Sequence, residues 1–201
     1  MVFIQKTELR ENIYLLNFKN QYSLTSTFLR FQEYYESPKF RGKIFSLKEF
    51  KRWYATTKEG SFTYYTDWSG FNIPSYVLNS FFKGKFDPLS SQERKFLSLF
   101  NPSKEKFYII GIHSHKKQAL SHELAHALFY TDLDYRKQVL KILKLFNTST
   151  FKKELLQTGY CKHVLNDEVN AYCVEGSEKF KVNLPKELKL TLQRLFNSFS
   201  K

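Results

Sequence analysis

The chain is poor in the residues that staple or break a fold: of its 201 residues two are cysteine, seven glycine, five proline and one methionine. Cys161 and Cys173 alone cannot build the disulfide framework of a small secreted domain or the paired-cysteine site of a zinc finger, and they read as buried free thiols. So little glycine and proline excludes a linker, a collagen-like repeat or a disordered tail. Every apolar run is interrupted by Lys, Arg or Asp before it reaches the length of a membrane span. The opening stretch MVFIQKTELRENIYLLNF lacks a basic segment followed by a long apolar core. It does not read as a signal peptide, so a reducing, cytoplasmic location is expected, with delivery into a host cell left open. There is no internal repeat and no low-complexity segment.

Acidic residues are also short, 19 against 32 Lys and Arg, for a formal charge of +13. The excess is spread along the chain, as on a lysine-rich solvated surface. It favours acidic partners without naming one, and no RNA-binding signature or long basic run points to nucleic acid.

What the chain has in abundance is aromatic side chains, 18% of the total, with 21 Phe and 13 Tyr. The length suits one compact domain over 1–201, with a mixed α/β part over 1–115 and a helical part over 116–201. The patterning predicts a strand over 13–19 and an amphipathic helix over 21–37 with Leu24, Phe28, Phe31 and Tyr35 inward. Ser46 and Glu49, then Ser90 and Glu93, have the spacing of capping boxes for helices over 46–54 and 90–100. The β-branched and aromatic run 61–68 reads as a strand followed by a loop through Gly70, Asn72 and Pro74. A helix over 76–82 and a strand over 105–114 follow. Helices are then expected over 118–130, 134–146, 149–160 (ending at Gly159), from Asn166 as cap to Gly176, and 184–196.

The chemistry concentrates in QALSHELAHALFY, residues 118–130. On a helix His122 and His126 stand one turn apart on one face with Glu123 beside them. Two imidazoles so placed can share one zinc, leaving room for a third ligand and a water that the glutamate can reach as general base. Ala119, Leu120, Leu124, Ala125, Ala127, Leu128 and Phe129 make the helix apolar on nearly every side, so these polar groups need partners. A hydrogen-bonded pair of core histidines is the alternative. For a third ligand, Glu168 lies in NDEVNAYCVEG (166–176), on a helix whose Glu168, Ala171 and Glu175 form a stripe beside the apolar Leu165, Val169, Tyr172 and Cys173.

HELAH with the downstream EVNAY resembles the zincin metallopeptidases, specifically the gluzincin branch, over residues 106–176. The resemblance implies an α+β fold in which a small mixed or antiparallel sheet packs on the motif helix and a helical half follows. It also implies one Zn2+ on His122, His126 and Glu168, Glu123 as the base, and a peptide or protein substrate laid along an edge strand, for which KFYIIGI (106–112) is placed. Asp167 stands where these enzymes usually carry Asn. A metzincin would need Gly at 129 and His at 132, where this chain has Phe129 and Asp132; Asp132 is the runner-up ligand. Tyr172 and His163 are candidates to stabilise an oxyanion, with core packing as the other reading of Tyr172 and a surface role as that of His163. His113 and His115 read as surface or supporting histidines. Glu175 or Asp167 would hold the free imidazole nitrogens of His122 or His126. From a different class, a catalytically inert zincin-like binding protein that uses its basic surface on an acidic protein or nucleic acid accounts for the charge.

Overall fold

Ser46 and Ser90 each accept a hydrogen bond from the backbone N–H three residues on, while Glu49 and Glu93 reach back to the serine N–H, so both capping boxes form. A computed structural model of the chain describes residues 4–102, 106–113, 117–158, 160–176 and 180–200. Among these residues it is a mixed α+β structure with one four-stranded mixed sheet and ten α-helices. Contacts divide it into two compact units, Met1–His115 and Lys116–Lys201.

In the first unit β1 (Ile4–Arg10) and β2 (Ile13–Phe18) form an antiparallel hairpin whose turn places Asn12 in the left-handed region at φ 62°. Asparagine is among the few side chains that tolerate this backbone. β3 (Gly70–Pro74) and β4 (Tyr108–Ile112) complete the sheet in the order β1-β2-β4-β3, with β4 parallel to β2 and antiparallel to β3. The expected edge strand is therefore an inner one. β4 pairs on both sides, its backbone groups are taken, and it cannot add a peptide strand. The edges of the sheet are β1 and β3.

Helix α1 (Gln21–Glu36) crosses the sheet, packing on β3 and β4. It lies so close to Gly111 that a Cβ there would fall 2.4 Å from Phe28 Cε2. α2 (Leu47–Thr56), α3 (Tyr64–Asp67), α4 (Leu78–Phe82) and α5 (Ser91–Leu97) complete the unit. The aromatic surplus fills its core. Phe31, Phe81, Phe86 and Phe96 are all but fully buried, and the rings of Phe81 and Phe86 stack with centroids 4.0 Å apart. Within this core Arg30 donates from Nε and Nη2 to the two carboxylate oxygens of Glu93, both at 2.6 Å, and from Nη1 to the Phe86 carbonyl at 2.8 Å. The capping glutamate of α5 thus also neutralises a buried arginine.

The strand expected over 61–68 is a short helix, and the strand lies later, in the expected loop. Asp67 Oδ2 accepts from Tyr54 Oη at 2.5 Å and Thr63 Oγ1 at 2.8 Å, and Thr66 N–H bonds to the Thr63 carbonyl at 2.9 Å, closing a turn where the residue types favour extension. β3 follows because Phe71 and Ile73 bury on the core side, and Pro74 is tolerated at the end of an edge strand.

On α1, burial pushes the Glu33 carboxyl up to about 7; the Ser37 and Tyr64 hydroxyls oppose the rise and Glu36 adds to it. Because the folded state binds this proton more tightly than an ordinary carboxyl at 4.5, the stabilisation is complete below about pH 4.5 and is lost as pH rises through 7. Glu33→Gln should therefore remove about 2 kcal/mol of the loss in stability between pH 5 and pH 8, read by urea denaturation at both values. Equal pH dependence in wild type and variant would contradict this.

Among its described residues the second unit has helices and no strand: α6 (Lys117–Thr131), α7 (Leu133–Leu143), α8 (Ser149–Gln157), α9 (Leu165–Glu175) and α10 (Lys186–Phe199). α9 packs against α6, α8 and α10, and α7 against α6 and α10. Ala125, Ala127 and Ala171, all fully buried, let α6 and α9 approach closely. Asn166 does not cap α9. A 3-10 turn over Lys162–Val164 runs directly into the helix, so Asn166 lies within its first turn. Gly176 ends α9 at φ 72°, with its N–H on the Tyr172 carbonyl. Gly159 and His115 lie outside the described residues.

No helix among the described residues is long and apolar enough to cross a membrane. Cys161 and Cys173 are free thiols, the first half-buried and the second buried.

Candidate metal centre

Helical phase brings His122 and His126 of α6 over Glu168 of α9, one potential ligand atom from each lying within 4.8 Å of the others. His122 Nε2 and His126 Nε2 are 3.1 Å apart, and His126 Nε2 is 3.8 Å from Glu168 Oε1. Two ligand atoms held at about 2.0–2.1 Å by a tetrahedral ion stand about 3.3 Å apart; the two separations from His126 bracket that spacing, while the three-residue set spans up to 4.8 Å and would have to draw in by about 1.5 Å around an ion. His126 and Glu168 are 4% and 8% exposed, and His122 is half-buried.

The outer nitrogens explain why the inner ones face each other. His126 Nδ1 lies 2.9 Å from Asp167 Oδ2 and His122 Nδ1 lies 3.1 Å from Glu175 Oε2. At His126 the Asp167 hydrogen bond favours the tautomer with its proton on Nδ1, which leaves the Nε2 lone pair free, whereas Glu175 lies beside His122 Nδ1 without hydrogen-bond geometry and favours the same tautomer only through its charge. Both lone pairs then point into one small space, an arrangement that repels unless a cation lies between them. A proton can serve. Burial pulls the His126 imidazolium down, but the charges of Asp167 and Glu168, the Asp167 hydrogen bond and Glu123 outweigh it and push His126 up to about 10. A metal ion serves the same need with both imidazoles neutral, so the donor set fits a cation.

α9 supplies the candidate ligand and both outer carboxylates, since Asp167, Glu168 and Glu175 lie on the side of the helix that meets α6. The acidic first turn also suits the positive end of the helix dipole. Asp167→Asn and Glu175→Gln should each weaken metal binding about 10- to 100-fold without unfolding the chain, as competition with a chromogenic chelator would measure. Affinity unchanged in both variants would separate these carboxylates from the site.

Glu123, the residue after His122, is half-buried, and its charge acts on both His126 and Tyr172. The Tyr172 ring meets the His122 ring edge-on, centroids 4.8 Å apart at 70°, and packs against Phe151 and Phe180. Burial raises the Tyr172 hydroxyl to about 12; the Tyr160 hydrogen bond opposes the rise, while Glu168, Glu175 and Glu123 add to it. It is a proton donor at neutral pH.

His163 lies in the 3-10 turn before α9 with its side chain exposed, outside the buried cluster. Asp132 caps α7, its Oδ1 accepting from the Asp134 and Tyr135 N–H groups at 3.0 Å, and it is not in the cluster either. His113 ends the described part of the first unit, half-buried.

Two further groups adjoin the site. Tyr160 places its hydroxyl 2.9 Å from that of Tyr172, and Tyr135 Oη donates to Asn170 Oδ1 at 3.0 Å on the buried side of α9. Asn170 falls inside the quoted EVNAY stretch. Tyr160 belongs to no pattern, because its contact depends on how the segment between α8 and α9 folds back.

Comparison with protein-family models, with curated proteins and with solved structures finds no match to this chain.

Proposed function

We propose that the chain is a zinc-dependent metallopeptidase of gluzincin type, with His122, His126 and Glu168 as the metal ligands. The observation that carries the reading is the pair of Nε2 atoms 3.1 Å apart, each with a carboxylate beside its outer nitrogen. Two imidazoles and a carboxylate are a donor set that suits zinc at a catalytic site, which keeps a fourth position open. Zinc held there supplies a Lewis acid that polarises a carbonyl oxygen and makes water a stronger acid.

Within this reading the protein's own groups divide the remaining work. Glu123, adjacent to the ligand His122, takes the proton from the attacking water and returns it to the leaving amine. Asp167 and Glu175 hold the imidazoles in one tautomer and one orientation. Tyr172 offers a neutral hydroxyl to the oxygen that becomes negative as the peptide carbonyl is attacked. The zincin-like fold and a peptide substrate belong to the same proposal.

The test is elemental analysis of the purified, dialysed full chain, followed by digestion of a mixed peptide library. About one zinc per chain together with cleavage supports the reading. No bound metal even after incubation with excess zinc would overturn it and favour the inert binding protein, whose charge-driven affinity for an acidic partner would fall steeply with salt.

A further inference from the structure

The second unit sorts its charge by depth. Six of its acids are buried or half-buried, and each has an internal task. Asp132 caps α7, Glu154 accepts from the N–H groups of Lys181 and Val182 at 2.9 and 3.0 Å, and Glu123, Asp167, Glu168 and Glu175 lie in or beside the histidine cluster. Exposed among the described residues of the unit are eight lysines and arginines against two acids, Asp134 and Glu187. The surface of the unit is therefore almost purely cationic, which fits an anionic partner.

The densest row of this charge is on α7. Tyr135, Val139 and Leu143 turn inward, and the opposite face carries Leu133, Lys137, Lys141 and Lys144 at i, i+4, i+8 and i+11. Asp134 Oδ1 lies 3.7 Å from Lys137 Nζ, an exposed pair that water screens. Leucine stands at both ends of the row: Leu133 is 55% exposed, and Leu145, just past the helix, 76%.

Those leucines choose between anionic partners. Nucleic acid is gripped through its phosphates and stacked on aromatic rings. The large apolar side chains that this unit exposes among its described residues are leucines and no aromatic ring. An anionic bilayer takes both kinds of group, lysine at the headgroups and leucine at the acyl boundary. It is also a continuous charged plane, so it meets a row of lysines without needing a matched pocket.

We propose that the outer face of α7 docks on an anionic membrane surface, with Lys137, Lys141 and Lys144 at the lipid headgroups and Leu133 and Leu145 entering the apolar boundary. This inference is independent of the metal-binding reading above.

The experiment sediments the full chain with vesicles of equal parts phosphatidylglycerol and phosphatidylcholine, and with vesicles of phosphatidylcholine alone, at low salt. Wild type is compared with the triple variant Lys137→Gln, Lys141→Gln, Lys144→Gln and with the double variant Leu133→Ser, Leu145→Ser. All five side chains are exposed, so both variants should melt as wild type does. Wild type should bind the anionic vesicles and leave the neutral ones. The lysine variant should lose about 100-fold in partition coefficient, about fivefold per lysine, and the leucine variant about tenfold or more. No binding of wild type to anionic vesicles, equal binding to neutral ones, or undiminished binding of either variant would each overturn the proposal. Tighter binding to a mixed-sequence RNA or DNA strand, kept by the leucine variant, would overturn it in favour of nucleic acid.

Discussion

On the proposed metallopeptidase reading, Glu123→Gln should keep bound zinc and lose about 100- to 10,000-fold in the rate of peptide hydrolysis, the range expected when one positioned general base is removed. Glutamine has nearly the shape of glutamate and keeps a hydrogen-bonding side chain, but it cannot take up a proton at neutral pH. The metal should stay because Glu123 is not among the three residues that converge as ligands. The informative result is the combination, with equal zinc content by elemental analysis and cleavage of the peptide library reduced to near background. Full activity in the variant would sink the assignment of the base. Loss of zinc would make Glu123 part of the metal-holding set.

Glu168→Ala should have the largest effect on the folded chain. On the proposed reading the ion would join α6 to α9 in the wild type, so that its binding energy would also be energy of helix packing. At zinc a thousandfold above its dissociation constant the gain in stability is about 4 kcal/mol. Removing Glu168 takes away one of three ligands while leaving Asp167 and Glu175 against the imidazoles. We expect calorimetric unfolding of wild type to shift to markedly higher temperature on adding zinc, and that of Glu168→Ala to shift by less than a quarter as much. A chelator should abolish the wild-type gain. Equal shifts in the two proteins would place the ion elsewhere.

The parts of this arrangement that could be read from the residues are those fixed by local periodicity. HELAH gives its geometry away because a helix one turn long already sets His122 against His126, and the capping serines show themselves through the spacing to Glu49 and Glu93. Glu168 was legible only as a candidate on a helix of suitable pattern, since nothing local connects it to α6. Which outer carboxylate serves which histidine follows from the rotational phase of α9 against α6, a tertiary quantity, and so Asp167 with His126 and Glu175 with His122 emerge only from the fold. The exchange of helix and strand around residues 61–74 has a similar origin. Side-chain bonds to Asp67 outweigh the β-propensity of the aromatic run. β1 gives no signal because five of its seven residues are exposed, so alternation of polar and apolar residues never develops. The inner position of β4 depends on a partner far away in the chain, which no local pattern records.

That position of β4 has a consequence for how the protein comes into being. β2 and β3 are its two neighbours, and both are made well before it; until the chain has been extended as far as Ile112, β2 has only β1 to pair with and β3 has no strand partner. Until then the emerging polypeptide holds two unfinished strands and many exposed phenylalanines, with the cost of closing a long loop still unmet. Synthesis would therefore expose a sticky, slowly maturing intermediate on the ribosome. Such a species is a natural client for chaperones, and truncation just before β4 should yield insoluble protein.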